Sequence, residues 1–164
     1  MSNGLLEITH NHLNLGTGFI DNISGGTIRV GGTFMAAANV FQPTGGTVEF
    51  VAYSGGGSPY IDLTTGNWMH NLMMNGNTTW LLGGAGPSQL TVNQDVTINS
   101  GGLNGSDDII YLGDDWTNNM GAGGPTGETL ITGTPFDVQN QMILTQGTFA
   151  LSASAPLVTV ASLM

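Results

Sequence analysis

The sequence predicts an all-β chain coiled into a parallel β-solenoid. Three observations predict it: a composition of strand and turn formers, short apolar segments of period two, and an internal similarity that lays Ile28 on Ile110. Of 164 residues, 27 are Gly, 20 Thr and 15 Asn, while Lys is absent and Arg29 is the single strongly basic residue. Gly and Thr disfavour long helices, and the helix formers Glu, Lys and Arg are scarce. Gly, Thr, Asn and apolar residues in short runs describe strands joined by tight turns.

The strand segments follow in order along the chain. Leu6-Glu7-Ile8, Thr27-Ile28-Arg29-Val30, Thr47-Val48-Glu49-Phe50, Leu90-Thr91-Val92, Val96-Thr97-Ile98, Ile110-Tyr111-Leu112 and Gln141-Met142-Ile143-Leu144 alternate with period two. That alternation places one set of side chains inside and the other outside. Glycine pairs punctuate the gaps, at 25–26, 45–46, 83–84, 101–102 and 123–124, with a triplet at 55–57. They permit the left-handed backbone of tight corners.

Shifting the chain by 82 lays Ile28 on Ile110, Phe34 on Trp116 and Pro43-Thr44-Gly45 on Pro125-Thr126-Gly127. At 81, Leu63 and Trp68 meet Leu144 and Phe149; at 83, Leu13 and Leu15 meet Val96 and Ile98. The chain therefore reads as one domain of two imperfect repeats, about 4–85 and 86–164. Four coils of roughly 20 residues fit each repeat. Eight such coils, stacked at about 4.8 Å, make a rod about 40 Å long. A Greek-key β-sandwich is the alternative, since its strands are equally short and closely spaced.

Charge excludes several functions. A net charge of −10 with one Arg cannot neutralise a nucleic-acid backbone or bind an anionic membrane surface. No apolar run reaches the roughly 18–20 residues of a membrane-spanning helix. Met1-Ser2-Asn3-Gly4 has none of the basic and apolar character of a signal peptide. No Cys is present, so no disulfide staples the chain.

Gly25–Phe34 followed by Phe41–Phe50 resembles the repeats of large bacterial haemagglutinin-like or adhesin-like cell-surface β-solenoid proteins. Leu112-Gly113-Asp114-Asp115-Trp116-Thr117-Asn118-Asn119 and Trp68-Met69-His70-Asn71-Leu72 resemble further phrases of those repeats. The second copy departs from the pattern at Gly127-Glu128-Thr129-Leu130-Ile131. The resemblance implies a solenoid, an extracellular or cell-surface setting and a structural or adhesive, non-catalytic role. It supplies no catalytic residues and no cofactor.

Candidate sites are few. Asp107, Asp108, Asp114 and Asp115 crowd four carboxylates beside Asn104 and Asn118, a set of oxygen donors suited to Ca²⁺; a solvated turn is the competing reading. Trp80, Tyr53 and Tyr60 have no aromatic counterpart in the repeat, which makes them the candidate ligand contacts for surface glycans. Trp68 and Trp116 align with Phe and read as core. Met69, Met73, Met74, Met120, Met142 and Met164 read as core filling. His10 and His12 are two apart and share a face if the strand is unbroken, with His70 distant. Glu49, Asp62, Asp95 and Asp137 have no discernible partner at repeating coil positions, which argues against glycoside hydrolysis. No nucleophile elbow or phosphate loop occurs, so no enzyme is expected.

Leu157, Val158, Val160 and Leu163 lie in an uncharged terminal run, Leu157–Met164. Such a run is expected to pair with the next coil of a longer parent, with the edge of a neighbouring copy, end to end, or with its own core. The functional expectations are therefore a structural or adhesive surface segment, a self-assembling filament subunit, or a carbohydrate-binding or carbohydrate-cleaving solenoid. Ice binding ranks last, because Thr64, Thr91, Thr97 and Thr132 form no regular rank.

Overall fold

A computed structural model describes the backbone of residues 1–83, 89–104, 109–112, 116–119, 128–131, 136–146, 148–151 and 158–163. It describes the side chains of residues 1–78, 80–83 and 90–103. Among these residues there is no helix. The strands are β1 (Leu5–Ile8), β2 (Leu13–Leu15), β3 (Ser24–Val30), β4 (Phe34–Ala36) and β5 (Gly45–Phe50). They continue as β6 (Tyr60–Leu63), β7 (Asn71–Leu82), β8 (Gln89–Val92), β9 (Val96–Asn104) and β10 (Ile109–Leu112). The last are β11 (Trp116–Asn119), β12 (Glu128–Ile131), β13 (Phe136–Gln146), β14 (Thr148–Leu151) and β15 (Val158–Leu163).

Every pairing between these strands is parallel, which rules out the antiparallel Greek-key alternative. The strands stack as ladders on three faces of a parallel β-solenoid. The first ladder runs β1–β3–β5–β7–β9–β11–β13. The second runs β2–β4–β6 and continues onto the later parts of β7 and β9. The third holds β8, β10, the start of β13 and β15, with Met69 bridged to Val92. Leu6, Ile28, Val48, Leu72 and Val96 form one inner row of the first ladder, and the steps between them are unequal. Four turns separate Leu6 from Val96.

Period two determines the contents of each row. Ile28, Val30, Val48, Phe50, Leu72, Met74, Val96 and Ile98 point inward and are buried, while Arg29, Met73 and Thr97 between them are only partly buried. Aromatic side chains fill the middle of the coil. Phe34 meets Phe41 edge-on at 5.1 Å, and Phe50 lies 5.4 Å from the Trp80 ring. Fully burying such a side chain contributes roughly 1.5–3 kcal/mol. Met69 and Met74 are fully buried, as core fillers should be, whereas Met73, expected with them, stands at an outward position and is only partly buried.

The corners need glycine for two separate reasons. Gly26 and Gly46 stack on successive coils with φ of 82° and 93°, where a side chain is strained. Gly31 approaches the coil below so closely that a Cβ would lie 2.0 Å from the Thr9 carbonyl oxygen.

The match at a shift of 82 does not stack like on like. Phe34 belongs to the ladder of Leu13 and Ile61, whereas Trp116 stands with Val96 and Met142 on the first ladder. Ile28 is on the first ladder and Ile110 on the third. Leu13 and Leu15 are on the second, Val96 and Ile98 on the first. For these described pairs the shift leads to the preceding face, because it is not a whole number of turns. Turn length also varies, from the short step between Ile28 and Val48 to the long step between Trp116 and Met142. The similarity reflects a grammar shared by the faces rather than two stacked units.

Candidate functional site

The outer surface of the first ladder carries the strongest electrostatic arrangement among the described residues. Register places Glu7, Arg29 and Glu49 on consecutive rungs, at one outward position. Arg29 donates from Nε to Glu49 Oε2 at 2.8 Å and from Nη1 to Glu7 Oε1 at 3.0 Å. Asn75, one coil further on, donates from Nδ2 to the other Glu49 oxygen at 2.7 Å. Four coils are thus tied by one chain of polar contacts. Glu49 is 6 % exposed, whereas Glu7 is exposed. Burial pushes the Glu49 carboxyl up, but Asn75 and Arg29 outweigh it and hold the group below its ordinary range. Donating to Glu49 and Glu7 holds the Arg29 guanidinium above its ordinary range. The sole Arg of the chain is therefore engaged by two carboxylates.

Glu49 was expected to have no partner at an equivalent coil position; the register corrects this. The signal was present in Leu6-Glu7-Ile8, Ile28-Arg29-Val30 and Val48-Glu49-Phe50, three strand triplets with alternating charge at their centres. Aligning the triplets with one another, instead of at 82, finds the ladder.

A second polar chain crosses the corner between the first two faces. The Thr33 N–H donates to His12 Nδ1 at 2.9 Å, and the Tyr60 N–H donates to Thr33 Oγ1 at 3.3 Å. This joins three successive coils. The loop 51–59 folds over the same corner: His10 Nδ1 and Ser54 Oγ share a hydrogen bond at 3.2 Å, and the Tyr53 ring lies 6.4 Å from that of His12. His10 and His12 sit in the turn between β1 and β2, not on one unbroken strand, and each imidazole has its own partner. Among the described residues no group of three metal-ligating side chains occurs.

The third polar cluster closes the next corner. Asn67 is 5 % exposed; its Oδ1 accepts from the N–H groups of Val40 at 2.9 Å and Phe41 at 2.8 Å. Its Nδ2 donates to the carbonyls of Ala37 and Thr64, both at 2.8 Å. Two coils below Asn67, Asp21 accepts from the N–H groups of Ile23 and Gln42. These contacts satisfy backbone groups where the ladder is interrupted.

The expected ligand contacts separate. Trp80 is fully buried, packed on Phe50, with its indole N–H on the Gly32 carbonyl, so it is core and offers no face to a ligand. Its inward position on β7 decides this. Tyr53 and Tyr60 remain half-buried; the Tyr53 hydroxyl donates to the Gly56 carbonyl and the Tyr60 hydroxyl points at Met35 Sδ. Trp68, expected in the core, is half-buried at a corner, with its indole N–H on the Pro43 carbonyl. Asp107, Asp108, Asp114, Asp115 and Leu157 lie outside the described residues. Val158 and Val160 pair with Phe136 and Val138, and Leu163 with Met142, so the terminal strand is a rung on β13.

The first coil differs from the rest. Leu5, Leu6, Phe19 and Ile20 are 56, 43, 36 and 87 % exposed. Leu6 occupies an inner row, and its exposure comes from the missing rung on one side of β1 among the described strands. Comparison with family models, curated proteins and solved structures finds no match to this chain. Among the described residues no helix is long and apolar enough to cross a membrane, which says nothing of spanning by strands.

Proposed function

We propose that this chain is a structural and adhesive, non-catalytic segment of a bacterial cell-surface protein, a rod that makes length. The observation that carries this reading is the continuous first ladder, with its apolar inner rows and its outer polar tie over four coils. Every described polar cluster serves to join one coil to the next. The resemblance of residues 25–50 to surface-protein repeats supports the setting. Small-angle X-ray scattering of the purified chain is expected to report an elongated particle; an isotropic one would overturn the rod.

The first coil favours a second, compatible reading, a subunit that extends by adding rungs end to end. An exposed inner row beside a strand edge is a template for a further parallel strand, supplied by a second copy or by a preceding coil of a longer chain. Sedimentation velocity at rising concentration is expected to show association that Leu6→Lys weakens. A monomer at every concentration removes the assembly reading and leaves the rod.

A further inference from the structure

The chain contains three Asn-Gly pairs, at 3–4, 75–76 and 104–105. At 75–76 the fold demands both residues. Asn75 supplies the donor that holds Glu49 Oε1 at 2.7 Å. Gly76 packs so tightly on the neighbouring coil that a Cβ would lie 2.2 Å from the Ala52 nitrogen and 2.4 Å from the Val51 carbonyl carbon. The outer tie and the close approach of two coils thus place side by side the two residues most prone to cyclise. Glycine leaves its own backbone nitrogen unshielded toward the preceding carboxamide. The pair also sits where the β7–β9 register shifts, on both sides of Asn75, and the Asn75 side chain is exposed.

We propose that Asn75 is a deamidation site whose conversion unfastens the outer ladder from the fourth coil. The Gly76 nitrogen attacks Asn75 Cγ; the N–Cγ bond forms, the Cγ–Nδ2 bond breaks, and ammonia leaves with the proton lost from the Gly76 amide. One water then opens the succinimide to aspartate or isoaspartate. The donor to Glu49 is replaced by an anion. The single positive charge of Arg29 already faces the two carboxylates Glu49 and Glu7, so a third anion is left without a compensating charge. Two carboxylates then face each other, one of them buried, which is unfavourable for both.

The test ages the full chain at mildly alkaline pH. Peptide mass spectrometry with fragmentation localises each conversion, and thermal melting runs alongside. Exposed Asn3 is the internal control. Conversion at residue 75 is expected to track a falling melting temperature, while conversion at Asn3 leaves it unchanged. Asn75→Asp, made directly, is expected to melt about 2–8 °C lower. Glu49→Gln introduced into that variant is expected to restore most of the loss, since it removes the facing charge. Parental melting of Asn75→Asp would overturn the proposal, as would no rescue by Glu49→Gln. So would aged protein in which Asn3 is converted while residue 75 remains Asn. If Asn75→Asp does not fold, the double variant and the aged parent chain decide.

Discussion

Leu6 and Val48 occupy the same inner row of the same ladder, two coils apart, yet they are 43 % and 3 % exposed. Ile8 and Phe50 repeat the contrast in the next inner row, half-buried against fully buried. The sequence pattern around all four is alike. Inward orientation is therefore not sufficient for burial on the first ladder: Leu6 and Ile8, with a described rung on one side only, stay partly open to solvent, although Leu15 on the same coil is buried. Stability should then rise from the first coil inward, as in any one-dimensional array whose units are stabilised by their neighbours.

The largest expected effect tests that gradient. Phe50 packs between Phe34 and Trp80, with ring centroids at 6.3 and 5.4 Å. Phe50→Ala is expected to cost about 3–5 kcal/mol, because the surrounding rings cannot collapse into the space. Urea unfolding followed by Trp fluorescence measures it. A loss no greater than that of Leu6→Ala would break the comparison between inner and outer coils.

A smaller loss is expected where the difference between coils is polar. Asn67 satisfies the Val40 and Phe41 N–H groups inside a buried corner, and Asp21 does the equivalent work two coils below from a more exposed position. Asn67→Ala orphans two buried donors and is expected to cost about 1–3 kcal/mol. Asp21→Ala is expected to cost less, since water reaches its corner. Hydrogen exchange at Val40 and Phe41 would localise the effect; unchanged protection in Asn67→Ala would show that the corner is held by other contacts.

The sequence made the strands legible and left their register obscure. Triplets such as Ile28-Arg29-Val30 announce themselves, because period two belongs to any half-buried strand. Coil length is not announced. The step from Leu6 to Ile28 is longer than that from Ile28 to Val48 and shorter than that from Val48 to Leu72, so no single shift aligns all the rungs. A shift of 82 aligns faces instead of rungs, and it leaves Trp80 without the aromatic counterpart that would mark it as core. Nothing in the sequence singles out Asn67, because a corner Asn in a Gly-Asn-rich chain looks like any other turn residue. Its role depends on Val40 and Phe41, which lie far from it in sequence.

Acid should separate the outer tie from the core. Glu49 titrates below its ordinary range in the folded chain, so the unfolded chain takes up the proton first. Its contribution is complete at neutral pH and is lost as pH falls below the ordinary carboxylate range and through the lower native value. Melting temperature is expected to drop across that window in the parent chain and to drop less in Glu49→Gln. Identical profiles would mean that the tie between Glu7, Arg29, Glu49 and Asn75 contributes nothing beyond its geometry.

The smallest expected effect on stability falls at Leu6. Almost half of its surface is already in water, so Leu6→Lys removes little burial and should change unfolding by less than about 1 kcal/mol. The lysine stem can lie along the apolar row while its ammonium reaches solvent past the edge of β1. A further rung would trap that ammonium between coils without a partner, a position that costs far more than it does at a free edge. Leu6→Lys is thus expected to separate two quantities that move together everywhere else in the molecule, leaving the melt nearly unchanged while weakening association at high concentration. The matching substitution in the interior, Val48→Lys, has a coil on both sides and is expected to unfold the chain. Equal tolerance of lysine at both positions would erase the distinction between the first coil and the coils stacked upon it.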